Sequence, residues 1–232
     1  MIDTLQESGL LARTNIDPAA STETLREKAR EIAEQAYLEK SKELFSAPGV
    51  NRALPLLLTT DTIEKNAKLL DKRFPEPLLG HVDIVGLFME VQVPMFLADL
   101  EANRKRLHEA STNQPTPDVP IEDIFALFRR TRTILEMHHA FCPDALLKFD
   151  VVSFFEPYVR QWLATMDNKT MQWVQGAISA DKFEASDTAG HSSSIVDLFE
   201  SIRAPINFLK DLEWIDEYQE ARFFTALSKV GL

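Results

Sequence analysis

The chain has 232 residues, 45% hydrophobic and 26% charged, with 25 basic against 36 acidic side chains and a formal net charge of −11. That length allows one large domain or two small ones, and the acidic balance without a basic stripe excludes the electrostatic footprint of a nucleic-acid binder and disfavours contact with an anionic bilayer. The single cysteine, Cys142, excludes an internal disulfide.

Residues 1–20 give a weak start, and Asp17-Pro18 with the polar run to Thr24 reads as loop. Over 24–45 the spacing predicts a helix with Leu25, Ala29, Ile32 and Ala36 on one face and Thr24 with Glu27 as a capping box. Ser46-Ala47-Pro48-Gly49 stops it. Asp61 with Glu64 offers a second capped start, followed by Ile63, Ala67, Leu70 and Phe74, and the prolines of Phe74-Pro75-Glu76-Pro77 end that helix. A long helical segment is expected over 83–111, kinked or interrupted at Pro94, with a charged, solvated second half over 99–109. Its most apolar window, 84–97, is broken by Glu90, Gln92 and Pro94 and is too short and too polar to span a bilayer. No basic start followed by an apolar run marks a secretory signal, so a cytoplasmic protein is expected.

Residues 112–118 read as loop. Pro120 suits a first helical position, and Ile121, Ile124, Phe125, Phe128, Leu135 and Phe141 carry an apolar face to Cys142-Pro143. Ser153 and Glu156 have capping-box spacing, and Pro157 is tolerable close behind. Val159, Trp162, Leu163, Met166, Thr170, Trp173, Val174 and Ala177 then fall within an arc of roughly 120°, so one helix is expected over 153–181, about 40 Å long. After a polar loop over 184–190, Ser194 and Asp197 are expected to cap a helix carrying Ile195, Leu198, Phe199, Ile202, Ile206 and Leu209, with a kink at Pro205. A last helix, 216–229, carries Tyr218, Ala221, Phe224 and Leu227. The chain ends just after that apolar face without a clear stop, which reads as a fragment boundary. No β alternation, internal repeat or low-complexity tract is present.

Few side chains carry chemistry. His138 and Cys142, four apart beside His139, could share a helix face, but a structural zinc needs about four ligands and no second pair has ligand spacing. The expected arrangement is one packed and one exposed imidazole. His191, Ser194 and Asp197 contain hydrolase residue types, yet a nucleophile needs a sharp turn to present it, and Ser194 is better explained as a helix cap. Asp71/Glu76 and Glu213/Asp216/Glu217 read as solvated acids. Trp162, Trp173 and Trp214 read as core, with Met166 and Met171 filling gaps near them. The alternative is a groove that receives a partner helix, which uses the same residue types. No glycine-rich phosphate loop is present, no cofactor is expected, and the chain is expected not to be an enzyme.

The stretch 154–214 resembles the first homology region of the MUN domain, the module of the Munc-thirteen (uncoordinated-thirteen) vesicle-priming proteins. The residues that carry the resemblance are Trp162-Leu163, Asp181-Lys182, Ser194-Ile195-Val196-Asp197-Leu198-Phe199 and Leu212-Glu213-Trp214, in order and at matching spacing. One departure is Ile215, where relatives often carry proline. Pro115-Thr116-Pro117-Asp118 and Pro120-Ile121-Glu122-Asp123-Ile124-Phe125 resemble the fungal branch.

The resemblance implies an all-α, elongated multi-helix bundle, a rod segment related to tethering-complex subunits. It implies non-enzymatic vesicle priming or tethering that promotes SNARE assembly in exocytosis or membrane traffic, peripheral to a vesicle or the plasma membrane. The expected partners are syntaxin-type SNAREs. The alternative is a helical scaffold or tether subunit that binds other tethering proteins without SNARE contact. Membrane contact would fall to the C2 domains and second homology region of relatives, neither of which appears here. The expected organisation is an N-terminal segment with one amphipathic helix over 1–50, an upstream helical subdomain over 51–112, and the first homology region, C-terminally truncated, over 113–232. The candidate partner-binding residues are Phe154, Phe155, Tyr158 and Phe199.

Overall fold

The computed structural model describes residues 18–47, 53–112, 119–181, 190 and 192–229. Within them the chain is all-α: α1 (Pro18–Ser46), α2 (Leu54–Arg73), α3 (Ile84–Thr112), α4 (Ile121–Phe141), α5 (Val151–Ala180), α6 (Ser193–Lys210) and α7 (Glu217–Ser228). Pairing of extended backbone among the described residues is limited to one isolated bridge, Leu78 with Val82, across a tight turn. The chain divides into two compact units, residues 1–149 and 150–232. The division follows the packing of α4, which lies against α2 and α3. Ile124, Phe125, Leu127, Phe128 and Ile134 are buried, so α4 joins the upstream helices in the first unit.

In the first unit α3 is the central helix, packed by α1, α2 and α4. That explains its near-continuous apolar run: Val85, Leu87, Phe88, Met89, Val93, Phe96, Leu97 and Leu100 are all buried, as expected of a helix covered on several sides. Its start is fixed by Asp83, whose Oδ1 accepts the backbone N–H of Val85 and of Gly86 at 3.0 Å each, satisfying donors that the first turn leaves open. The helix continues through Pro94, which is solvent-exposed, where a lost backbone bond can be replaced by water. Its charged second half is not wholly solvated: Leu107 and Ala110 are buried.

Polar ties hold α1 on α3. The buried Gln92 donates Nε2–H to the Ala33 carbonyl at 2.8 Å. Tyr37 Oη and Ser41 Oγ both donate to Asp99 Oδ2, at 2.7 and 3.1 Å. Burial, then the Asp99 bond, pushes the Tyr37 phenol far up from its ordinary range. The inward face of α1 is therefore Ala33 and Tyr37, while Ile32 is 67% exposed; the sequence expectation was one residue out of phase. Thr24 is not a cap either, because its Oγ1 donates back to the Ala20 carbonyl inside the helix. Asp61 and Glu64 likewise lie inside α2, which begins at Leu54 with Pro55 in its first turn. Both take ion pairs from Arg130 of α4, at 3.1 and 2.9 Å.

In the second unit α5 packs against α6 and α7. Asp150, not Ser153, is the N-cap: it accepts from Ser153 N and from Ser153 Oγ. Val159, Trp162, Leu163, Met166 and Thr170 are buried as the phase predicts. The Trp162 and Phe208 rings meet at 5.0 Å. At the far end Ser192 Oγ donates to Asp181 Oδ2 at 2.5 Å, and Ser194 Oγ donates to the same oxygen. Those contacts set α5 and α6 antiparallel. Ser192 takes the N-cap position of α6, so Ser194 and Asp197 are not its cap. After α6 the chain reverses at Glu213, held at φ 51°, which allows both Leu212 and Trp214 to be buried. Asp216 then caps α7 through Gln219 N at 3.0 Å. The helix break thus forms with isoleucine, not proline, at 215. In α7 Phe223 is buried and packs on Trp214 at 5.5 Å, whereas Tyr218 is 74% exposed.

Candidate interaction surface

The aromatic run that opens α5 is buried. Phe154, Phe155 and Tyr158 are each at most 2% exposed, with ring centroids at 4.8 Å for Phe154–Phe155 and 6.3 Å for Phe155–Tyr158. Such edge-on and tilted arrangements are how aromatic rings pack in interiors. These three side chains do not line an open groove. Phe199, the fourth candidate, is 68% exposed.

Phe199 does not stand alone. The α5 stripe stays buried only as far as Thr170; beyond it Met171, Trp173 and Ile178 are 52%, 43% and 54% exposed. Trp173 and Met171, expected in the core, are therefore surface residues. On α6, Ile195, Val196 and Ile202 are exposed as well. At roughly 100° per residue, Met171 and Ile178 project on one flank of α5, and Ile195, Phe199 and Ile202 on one flank of α6. Trp162 and Phe208, whose rings touch, project on the other flank of each helix. In the antiparallel pair Ile178 stands level with Ile195 and Met171 with Ile202, each set turned away from the side of its helix that carries the Trp162–Phe208 contact. Positions 170–180 contain no charged residue, although the exposed part of a solvated helix ordinarily carries several. Large exposed apolar side chains concentrated at one end of a helix pair mark a candidate interaction site. Sequence periodicity could not find it, because an inward stripe and a docking stripe have the same spacing. The signal that could have found it is the uncharged run itself.

The remaining chemical groups have structural roles. Cys142 Sγ donates to the Gly86 carbonyl at 3.2 Å; burial, with Glu90 and Asp83 adding to it, pushes the thiol up to about 11, so at neutral pH it is an unreactive thiol. His138 is buried and His139 exposed. Burial holds the His138 pKa below its ordinary value, against the pull of Glu90. No group of three or more His, Cys, Asp or Glu side chains among the described residues is placed to hold a metal ion. Ser194 directs its hydroxyl at Asp181, and His191 lies outside the described residues. A cleft of about 260 Å³ lies beside Arg26, Arg30, Glu90 and Cys142, but its cations are engaged: Arg26 Nη2 donates to the His81 carbonyl at 3.0 Å, and Arg30 faces Glu90 at 3.7 Å. No helix among the described residues is long and apolar enough to cross a membrane.

Packed helical units with exposed apolar side chains on two neighbouring helices are built as a helical protein–protein interaction module. The MUN domain family matches residues 58–231, and the chain belongs to that family. Membership points to a role related to vesicle tethering or priming. The chain is similar to an uncharacterized protein of Schizosaccharomyces pombe, 24% identical over 229 residues, covering 97% of this chain and 18% of that protein. It is also similar to an uncharacterized protein of Saccharomyces cerevisiae, 20% identical over 176 residues, covering 73% of this chain and 13% of that protein. The chain thus spans less than a fifth of the length of these curated relatives. No solved structure matches it.

Proposed function

We propose that this chain is a non-enzymatic tethering and priming module that promotes SNARE assembly in membrane traffic. The observation that carries the reading is the set of exposed apolar side chains on α6 and the second half of α5, present in a chain of the MUN family. Phe199, with Ile195 and Ile202 beside it on α6, receives the apolar stripe of an amphipathic helix, the helix-in-groove mode of recognition. A syntaxin-type SNARE motif has that form. In this reading residues 113–232 correspond to the first homology region, the chain works on the cytoplasmic side, peripheral to a vesicle or plasma membrane, and membrane contact belongs to other modules. Binding of the folded chain to cytosolic syntaxin-type SNARE fragments, measured by titration calorimetry, tests it. Reproducible absence of binding removes direct SNARE contact.

A second reading is a helical scaffold that joins other tethering proteins. It is favoured by one fact: the chain matches less than a fifth of each long relative, so SNARE contact could belong to other parts of such a protein. In that case the same face binds helices of tether subunits and not SNARE motifs.

A further inference from the structure

We propose that Ser194 is a phosphorylation site, and that a phosphoryl group there releases the start of α6 from the end of α5. The tie between these two helices exists whether or not the chain binds a SNARE.

The serine hydroxyls at the start of α6 serve α5. Asp181 follows the last turn of α5, and its Oδ2 accepts from Ser192 Oγ, at 2.5 Å, and from Ser194 Oγ. The two hydroxyl oxygens lie 3.0 Å apart. Ser192 holds the N-cap position of α6 yet makes no side-chain bond to that helix. A serine at an N-cap ordinarily accepts from an N–H two or three residues on. Here the hydroxyl is spent on Asp181, so the N-cap side chain leaves the first-turn N–H groups of α6 open. One carboxylate oxygen thus joins the two helices through two donors.

Phosphorylation inverts that tie. Ser194 Oγ takes the γ-phosphoryl group of ATP: an Oγ–P bond forms, the bond from that phosphorus to the oxygen of ADP breaks, and the hydroxyl proton passes to the base of the kinase. The side chain then has no proton to donate and carries about −1.5 to −2 charge at pH 7, against the Asp181 carboxylate. Residues 183–202 contain four carboxylates and no lysine or arginine. Apart from Lys182, which adjoins Asp181 in sequence, the surrounding stretch offers no cation to receive the phosphate. Beside an acid and without an arginine cluster, a phosphate disrupts by like-charge repulsion. The open N–H groups and the dipole at the start of α6, in contrast, favour an anion. The phosphate therefore stays with α6, and the tie to α5 is lost.

The segment also suits a kinase. Asp197 stands three positions after Ser194, the spacing read by acid-directed serine/threonine kinases. Position 195 is not proline and no arginine lies between 183 and 193, so the pattern is not that of proline-directed or basic-directed enzymes. Ile195, Val196 and Asp197 are exposed.

The test incubates the whole folded chain with ATP and an acid-directed serine/threonine kinase, and mass spectrometry locates the phosphate. The expected product carries it on Ser194, and Asp197→Asn slows its formation about tenfold or more, the scale of one lost charge-assisted contact. Hydrogen exchange then reads the junction: amides of residues 174–181 exchange at least about tenfold faster in the phosphorylated chain, while those of α6 keep their protection. Asp181→Asn separates charge from bonding. Its amide oxygen still accepts, so the unmodified variant exchanges like wild type, and phosphorylation changes its exchange by less than about twofold. A folded chain left unmodified at Ser194 overturns the inference, as does a phosphate added only after unfolding. Equal exchange with and without the phosphate, or an equal rise in Asp181→Asn, also overturns it.

Discussion

The Trp162 ring packs on Phe208 with 5.0 Å between centroids and a 40° tilt between planes, and this contact marks where the α5–α6 seam is closed. Trp162 is 6% exposed, whereas Trp173, eleven positions on, is 43% exposed. Truncation at the two sites should separate cleanly. Trp162→Ala removes a buried aromatic and leaves a cavity, lowering stability by about 3–5 kcal/mol. Trp173→Ala should cost less than about 1 kcal/mol. Urea denaturation measures both.

The glycines of α3 and α5 give opposite expectations. A Cβ on Gly86 would stand 2.8 Å from Asp83 Oδ2 and 3.2 Å from the Phe141 carbonyl oxygen. It would disturb both the cap of α3 and the close approach of α4, so Gly86→Ala should destabilise by about 1–3 kcal/mol. Around Gly176 a Cβ meets nothing within 4 Å. Gly176→Ala should stabilise by up to about 1 kcal/mol through helix propensity. Thermal melts of the two variants should move in opposite directions.

His138 makes the first unit sensitive to mild acid. Burial lowers its folded pKa below 6.5, so between the folded pKa and 6.5 the unfolded chain binds more protons than the folded one. Stability from this group is fully present above pH 6.5 and is lost as pH falls through the folded value. Glu90 opposes the shift and His139 reinforces it. Denaturation midpoints should fall between about pH 7 and pH 5, a window above the ordinary carboxylate range, and His138→Gln should flatten that slope.

The cap of α5 is a single exposed residue with a defined job. Asp150 accepts from the backbone and the hydroxyl of Ser153, and these bonds, the side-chain one first, hold its carboxyl below the ordinary value. Asp150→Ala should lower stability by about 0.5–2 kcal/mol, while Asp150→Asn, still an acceptor, should retain most of it. The advantage of Asp over Asn exists above the unfolded pKa and disappears as pH falls through the depressed folded value. Guanidinium titrations at pH 7 and pH 3 check both statements.

Helices and their rough limits were legible in the sequence, because long apolar periodicity and Pro–Gly punctuation act locally. The stops at Ser46 and Arg73 and the unbroken α5 follow from that chemistry. Caps were less legible. Ser/Thr followed three residues later by an acid is also the spacing of one helix face, and Thr24 uses its hydroxyl inside the helix, on the Ala20 carbonyl. Phase failed in α1 and α7, where the buried positions are Ala33, Tyr37 and Phe223. A small alanine against the Gln92 amide, and one phenylalanine of an adjacent pair, carry no distinguishing sequence signal. The interaction face was half legible: Phe199 could be picked out, but Phe154, Phe155 and Tyr158 share its residue type and are buried, and only three-dimensional packing separates them.

The most direct test of the central claim is the affinity of a cytosolic syntaxin-type SNARE motif for the folded chain, compared between wild type and Phe199→Asp by titration calorimetry. The face around Phe199 predicts measurable wild-type binding that weakens at least tenfold, about 1.4 kcal/mol, in a variant whose melting temperature is unchanged. Equal affinity of the two proteins would contradict a binding face centred on Phe199.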